Sequence, residues 1–269
     1  MQELLAALHA GSRVLDLGCA EGSFACVPPE TIVIRVDLEP RTRRPENFIQ
    51  ADAARLPFPA QSFDAVISNH SLEHICDLGD SFKEIRRVIK PEGLLYVAVP
   101  DATTRTDRLY RWLARGGGHV NAFGSAKDLA TRIGTETGLK HAATRTLLTS
   151  LSFLNRGNRR APAPRKLWLL GGGTEISLHI ITFSAKAIDR MLGSRLSVYG
   201  WALYFGHYPV TIDCRARTNV CVRCGSGHAS QWLLENQLVN RRLLFRRYRC
   251  PRCGTMNLFT DDERHQPSA

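Results

Sequence analysis

A chain of 269 residues, 43% of them hydrophobic, can bury one substantial α/β core together with a small second module. Its 36 Lys and Arg stand against 25 Asp and Glu, a formal charge of +11, which raises nucleic acid as a partner. No apolar run approaches the length of a membrane span, and MQELLAALHAGSR reads as a short helix rather than a leader, so the expectation is a soluble protein without a membrane partner.

The first chemical signal is Val14 to Gly22, VLDLGCAEG, a buried strand that ends in Asp16 and a glycine turn. The dinucleotide fingerprint G-x-G-x-x-G is incomplete, because Gly18 is followed by Ala20 and Ser23 where the second and third glycines belong; NAD and FAD are disfavoured. A second apolar strand, Ile32 to Val36, ends in Asp37, nineteen positions beyond Gly18, where a carboxylate can hold ribose hydroxyls. Only Ser23 to Thr31, with Pro28 and Pro29 among them, separates the two, so the first crossover helix is expected to be stunted. The Arg-rich connection Pro40 to Phe48 makes a second helix doubtful too.

Ala51-Asp52-Ala53 reads as the end of a third strand and Phe63 to Asn69 as a fourth. Phe82, Ile85 and Ile89 recur at helical spacing, which predicts a helix over Leu78 to Lys90, stopped by Pro91 and followed by a strand at Leu94 to Val99. NHSLEH, after the fourth strand, contains H-x-x-E-H, but the motif follows a strand rather than lying within a helix, which argues against a zinc peptidase.

This order, VLDLGCAEG, VDLEP, ADAARLPFPAQSFDAVISNHSLEHI and FKEIRRVIKPEGLLYVAVPD, resembles the class I S-adenosylmethionine-dependent methyltransferases of the type 11-like subgroup over roughly residues 12 to 101. Weaker similarity continues through GGHVNAF and VYGWALYFG. The resemblance implies a Rossmann-like α/β fold with a seven-stranded sheet. It places Asp16, Gly18 and Gly22 around the methionine part of S-adenosylmethionine, Asp37 and Leu38 at the ribose, Asp52 and Ala53 at the adenine, and Asn69 beside them. His70, Glu73 and His74 would face the acceptor, and His70, His74 and His119 are the candidate catalytic bases. Ala20 departs from the subgroup's middle glycine, and with the short helices it keeps a degenerate, non-enzymatic binding protein among the alternatives.

Near the C-terminus, Cys221-Val-Arg-Cys224-Gly225 and Cys250-Pro-Arg-Cys253-Gly254 form two C-x-x-C-G knuckles. Four thiolates at this spacing suit a tetrahedral structural zinc ion in a β zinc ribbon, with no open position for catalysis. The remaining cysteines show no disulfide framework, which fits a reducing cytoplasm. Two domains are expected: a methyltransferase domain over 1–212, with a substrate-region insertion at about 104–197, and a ribbon over 213–269. Asn155 to Lys166 reads as an exposed basic loop, and Leu167 to Phe183 as strands or a lid.

From Asp213 onward ten Arg face five acidic residues, and Arg241, Arg242, Arg246, Arg247 and Arg249 cluster beside Phe245 and Tyr248. Such a surface can grip RNA phosphates and stack bases. The favoured acceptor is nonetheless a small metabolite or biosynthetic intermediate, with an RNA methyltransferase as the alternative.

Overall fold

The computed structural model describes residues 1–24, 27–40, 45–114, 117–158, 174–209, 211–240 and 246–261. The chain forms two compact units: 1–101, 119–145 and 201–214 in the first, and 102–118, 146–200 and the chain from 215 onward in the second.

The first unit begins with α1 (Gln2–Ala6) and β1 (Arg13–Leu17) and continues through β2 (Ile32–Asp37), β3 (Phe48–Gln50) and β4 (Phe63–Asn69). A single 3-10 turn (Leu72–His74) leads to α2 (Leu78–Val88) and β5 (Ile89–Pro100). β1 pairs in parallel with both β2 and β4, β2 with β3 and β4 with β5. Parallel strands buried on both faces read as continuous apolar runs, which is why Val14, Leu15, Ala65, Val66 and Ile67 are all inaccessible.

No helix occurs among the described residues between β1 and β2, where a stunted one was expected, or between β2 and β3, where one was doubtful. α2 starts where Asp77 accepts the Asp80 amide and buries Leu78, Phe82, Ile85 and Val88 along one stripe. It ends at Val88, two residues earlier than the spacing suggested. Lys90 precedes Pro91 and is driven out of the helical region, so Ile89 joins β5 opposite Phe63.

The chain continues as α3 (Arg105–Leu113), α4 (Ala126–Thr137), β6 (His141–Leu148), α5 (Glu175–Leu192) and β7 (Val198–Phe205). Leu167 to Phe183 was expected to form strands or a lid. Its described portion, from Thr174, is helical rather than extended and starts α5, where the Thr174 hydroxyl accepts the Ser177 amide. Residues 159–166 of the expected basic loop lie outside the described residues, while Asn155 at its start is buried and donates to the Val222 carbonyl. The completed seven-stranded sheet runs β3-β2-β1-β4-β5-β7-β6. Chain order reverses between β1 and β4, the place where open α/β sheets bind ligands beyond their carboxyl strand ends.

In the second unit, β8 (Asn219–Val220) and β9 (Gly227–His228) form a two-stranded ladder. α6 (Ser230–Glu235) then precedes a three-stranded sheet of β10 (Val239–Asn240), β11 (Arg247–Arg249) and β12 (Met256–Leu258). Its small core comprises Cys221, Leu233, Tyr248, Cys250 and Phe259.

Candidate functional site

The loop after β1 is held by the backbone of β2 and by the turn after β4. Gly18 and Cys19 donate their amides to the Val36 carbonyl at 2.8 and 3.0 Å. Gly18 has φ +67°, and a Cβ there would lie 2.3 Å from the Ser71 Cβ. Ser71 makes that approach specific, because its hydroxyl donates to the Leu17 carbonyl and shares a hydrogen bond with Ser68. Sequence reasoning missed Ser71; nothing local marks a serine whose partner is fifty-four residues away.

Asp16 is fully buried and spends both oxygens on the turn, accepting the Ser23 amide at 2.9 Å and the Ser23 hydroxyl at 2.6 Å. Burial pushes its carboxyl above the usual range, against the pull of those two hydrogen bonds. Gly22, at φ +105°, has only the Arg35 side chain within 4 Å of the Cβ it lacks, leaving room at that point of the loop. Ala20 adopts φ +47°, the conformation a glycine would take without strain, and its amide donates to Asp37 Oδ2 at 2.8 Å. The other oxygen of Asp37 accepts the Glu39 amide. Two amides therefore orient a half-buried carboxylate beside Leu38, whose apolar side chain is 63% exposed.

Asp52 is exposed and caps its own turn, accepting the Ala54 amide at 2.9 Å; Ala53 packs on the edge of the core. Asn69 ends β4 opposite Ala98, half-buried. An oriented carboxylate, an uncovered leucine and a roomy glycine turn thus lie at the carboxyl ends of β1 and β2.

The turn after β4 carries the acceptor-side candidates. His70 has φ +56°, and its Nδ1 lies 3.7 Å from Glu73 Oε1. Glu73 is buried, and its Oε2 has no hydrogen-bond partner. His74 and His119 meet edge to face with ring centroids 4.9 Å apart, and the ligating atoms of Glu73, His74 and His119 lie within 4.8 Å of one another. Val120 and Asn121 donate their amides to the Glu73 carbonyl, and the Asn121 side chain donates to the carbonyls of Leu72 and Ile75. Asn121 thus pins GGHVNAF to the turn, a role hidden in a motif read for its histidine.

In the second unit the four cysteine sulfurs lie within 4.8 Å of one another, with Cys221 to Cys253 at 3.6 Å and Cys224 to Cys250 at 3.7 Å. Bonds of about 2.3 Å to a tetrahedral ion set sulfurs about 3.8 Å apart, so the donor set fits. The knuckles are built alike: Gly225 and Gly254, at φ +75° and +72°, donate to the carbonyls of Cys221 and Cys250. The Asn257 side chain, four residues beyond the second knuckle's Cys253, grips the first, donating to Cys221 Sγ and accepting the Val222 amide. The Cys221 thiol hydrogen-bonds toward Cys224, which raises Cys221 and lowers Cys224. Buried His228, pushed down to about 4 by burial, places Nε2 3.6 Å from Cys250 Sγ and stacks on Trp232. Tyr248 lies wholly inside the ribbon core, so its ring is not a stacking surface for a base. Arg241, Arg242 and Phe245 lie outside the described residues.

The seven-stranded sheet has the order typical of Rossmann-like methyltransferases, with a glycine loop after its first strand. Residues 15–97 match the family described as Methyltransferase domain. A protein of Mycobacterium tuberculosis named as a probable S-adenosylmethionine-dependent methyltransferase is 35% identical over 100 residues, covering 34% of this chain and 36% of the relative. Malonyl-[acyl-carrier protein] O-methyltransferase of Legionella pneumophila is 29% identical over 135 residues, 45% of this chain and 48% of that one. The chain thus spans between a third and a half of these relatives' lengths. A solved S-adenosylmethionine-dependent methyltransferase from Archaeoglobus fulgidus aligns with TM-score 0.46 and 17% identity over 73% of this chain and 86% of that one. No helix among the described residues is long and apolar enough to cross a membrane.

Proposed function

We propose that this protein transfers the methyl group of S-adenosylmethionine to a small metabolite or biosynthetic intermediate. The observation that carries the reading is Asp37: its carboxylate is aimed by the Ala20 and Glu39 amides at the carboxyl edge of the sheet, beside an uncovered Leu38. Methyl transfer from a sulfonium is an in-line displacement, in which holding the acceptor against the methyl carbon supplies much of the acceleration. His70, His74 and His119 are the candidates to meet an acceptor, either as a base or by holding its oxygen.

The named activity of the Legionella relative, on an acyl-carrier-bound malonyl group, favours a small intermediate over RNA. Burial of Tyr248 removes one of the two aromatic rings on which a base-stacking ribbon would rely. Zinc held by Cys221, Cys224, Cys250 and Cys253 would be structural, since four thiolates complete its coordination.

Calorimetry with S-adenosylmethionine tests the reading. Native protein should bind, and Asp37→Ala should lose about tenfold to a hundredfold in affinity, as expected when a charged hydrogen-bond acceptor is removed. Absence of heat with native protein would leave the degenerate binding protein as the better account. RNA binding that falls steeply with salt would restore the RNA reading.

A further inference from the structure

We propose that Glu73, His74 and His119 bind a divalent transition-metal ion at the carboxyl end of β4, where the ion's open position takes an oxygen of the methyl acceptor. The ligating atoms of all three lie within 4.8 Å of one another, on two segments that backbone hydrogen bonds from Val120 and Asn121 to Glu73 hold in register. An ion with bonds of about 2.0–2.2 Å needs ligand atoms about 3.3 Å apart, a contraction within reach of the exposed His74 ring and the half-buried His119 ring.

The second observation is independent of that spacing. Glu73 is buried with a side-chain exposure of 2%, and its Oε2 accepts no hydrogen bond. His70 Nδ1 lies near the other oxygen, at 3.7 Å. A buried carboxylate oxygen without a partner is costly, and a cation supplies what the protein does not. Two imidazoles and one carboxylate leave coordination positions open, in contrast with the closed set of four cysteines.

The site lies two residues beyond Ser71, which packs on Gly18 of the glycine loop. Resting on the methyltransferase reading, the inference adds the acceptor's chemistry: a hydroxyl oxygen. Coordinated to the ion, that hydroxyl is more acidic. Its oxygen forms the O–CH3 bond as the donor's S–CH3 bond breaks, the proton passing to water and the donor leaving as a neutral thioether.

The test uses the full chain loaded with zinc, dialysed and analysed for metal, and then repeated with cobalt(II). Native protein should hold two equivalents. His74→Ala and His119→Ala should each hold one, with near-ultraviolet thiolate-to-cobalt absorption unchanged and the weaker visible bands of the second ion gone. A native stoichiometry of one, or variants that retain two, overturns the proposal. Calorimetry with S-adenosylmethionine on the same samples separates the two readings. Two metals without cofactor binding sink the methyltransferase and keep the site, while cofactor binding with one metal does the reverse.

Discussion

The two units solve the same stability problem with different means. The first buries an extended apolar core, in which Leu15, Leu17, Phe63, Val66, Phe82 and Ile85 are wholly inaccessible, and its ligand loop rides on that rigid sheet. The ribbon in the second has strands of two or three residues and a core of five buried side chains, two of them cysteines. So small a core cannot offset the ordering of its chain without a staple, whereas the sheet needs none. Strained turns in the first unit can therefore rest on a rigid sheet, while in the second four close thiols are placed to supply such a staple if they bind a metal.

Removing the staple should break this contrast most visibly. A strong zinc chelator, or Cys250→Ser, is expected to abolish protection of the amides over 219–261 in hydrogen exchange while those of β1, β4 and β5 stay protected. Equal loss in both regions would mean that the sheet also depends on the cysteines. Next in size, Phe82→Ala should cost the first unit about 3–5 kcal/mol in urea unfolding, since a fully buried ring leaves a cavity against rigid strands.

Electrostatics sharpen the comparison further. In the first unit buried Arg145 donates to Glu3, the Tyr204 hydroxyl and the Asp213 carbonyl. Burial alone would raise the Glu3 carboxyl, but its hydrogen bonds with Arg145 hold it well below the usual range. Because that shift is downward, its stabilisation is complete above the ordinary glutamate value and lost as pH falls below it. Glu3→Ala should therefore cost about 3 kcal/mol at neutral pH, by leaving the buried guanidinium without its counter-charge, and the deficit should shrink in acid urea titrations.

In the second unit the sign reverses. Lys186 donates to the Thr218 carbonyl, and burial pushes its ammonium down to about 8. A charged lysine is penalised there below that value and relieved as pH rises toward its ordinary one, so Lys186→Met should stabilise the unit by about 1–2 kcal/mol at pH 7, with no gain above pH 10.5. Thermal unfolding at the two pH values checks both sign and size.

Much of the first unit was legible in the chain because its information is local. Parallel strands announce themselves as apolar runs, and Phe63–Asn69 begins and ends where the sequence says it should. The cysteine cluster was legible for the same reason, since a knuckle is defined within five residues. The fit failed at Ile89, which left the predicted helix for a strand neighbour at Phe63, and in the stretch from Thr174 to Phe183, where a local cap starts a helix instead of a strand. The acceptor side mixed the two. NHSLEH and GGHVNAF were each readable, but not that Glu73 would be buried between them, nor that Asn121 would fasten one to the other.

The sequence by itself determined the succession of strands along the chain up to β5, the glycine turn with its two following carboxylates, and the identity of four metal-competent thiols, because periodicity and spacing are properties of neighbouring residues. Tertiary structure alone decided that residues 146–200 join the cysteine knuckles in one compact unit, that Asp16 serves its own turn while Asp37 accepts an amide of the glycine loop, and that two histidines and a carboxylate meet. Those outcomes depend on which distant groups satisfy one another's buried polar atoms, a balance that closes only when the whole chain has packed.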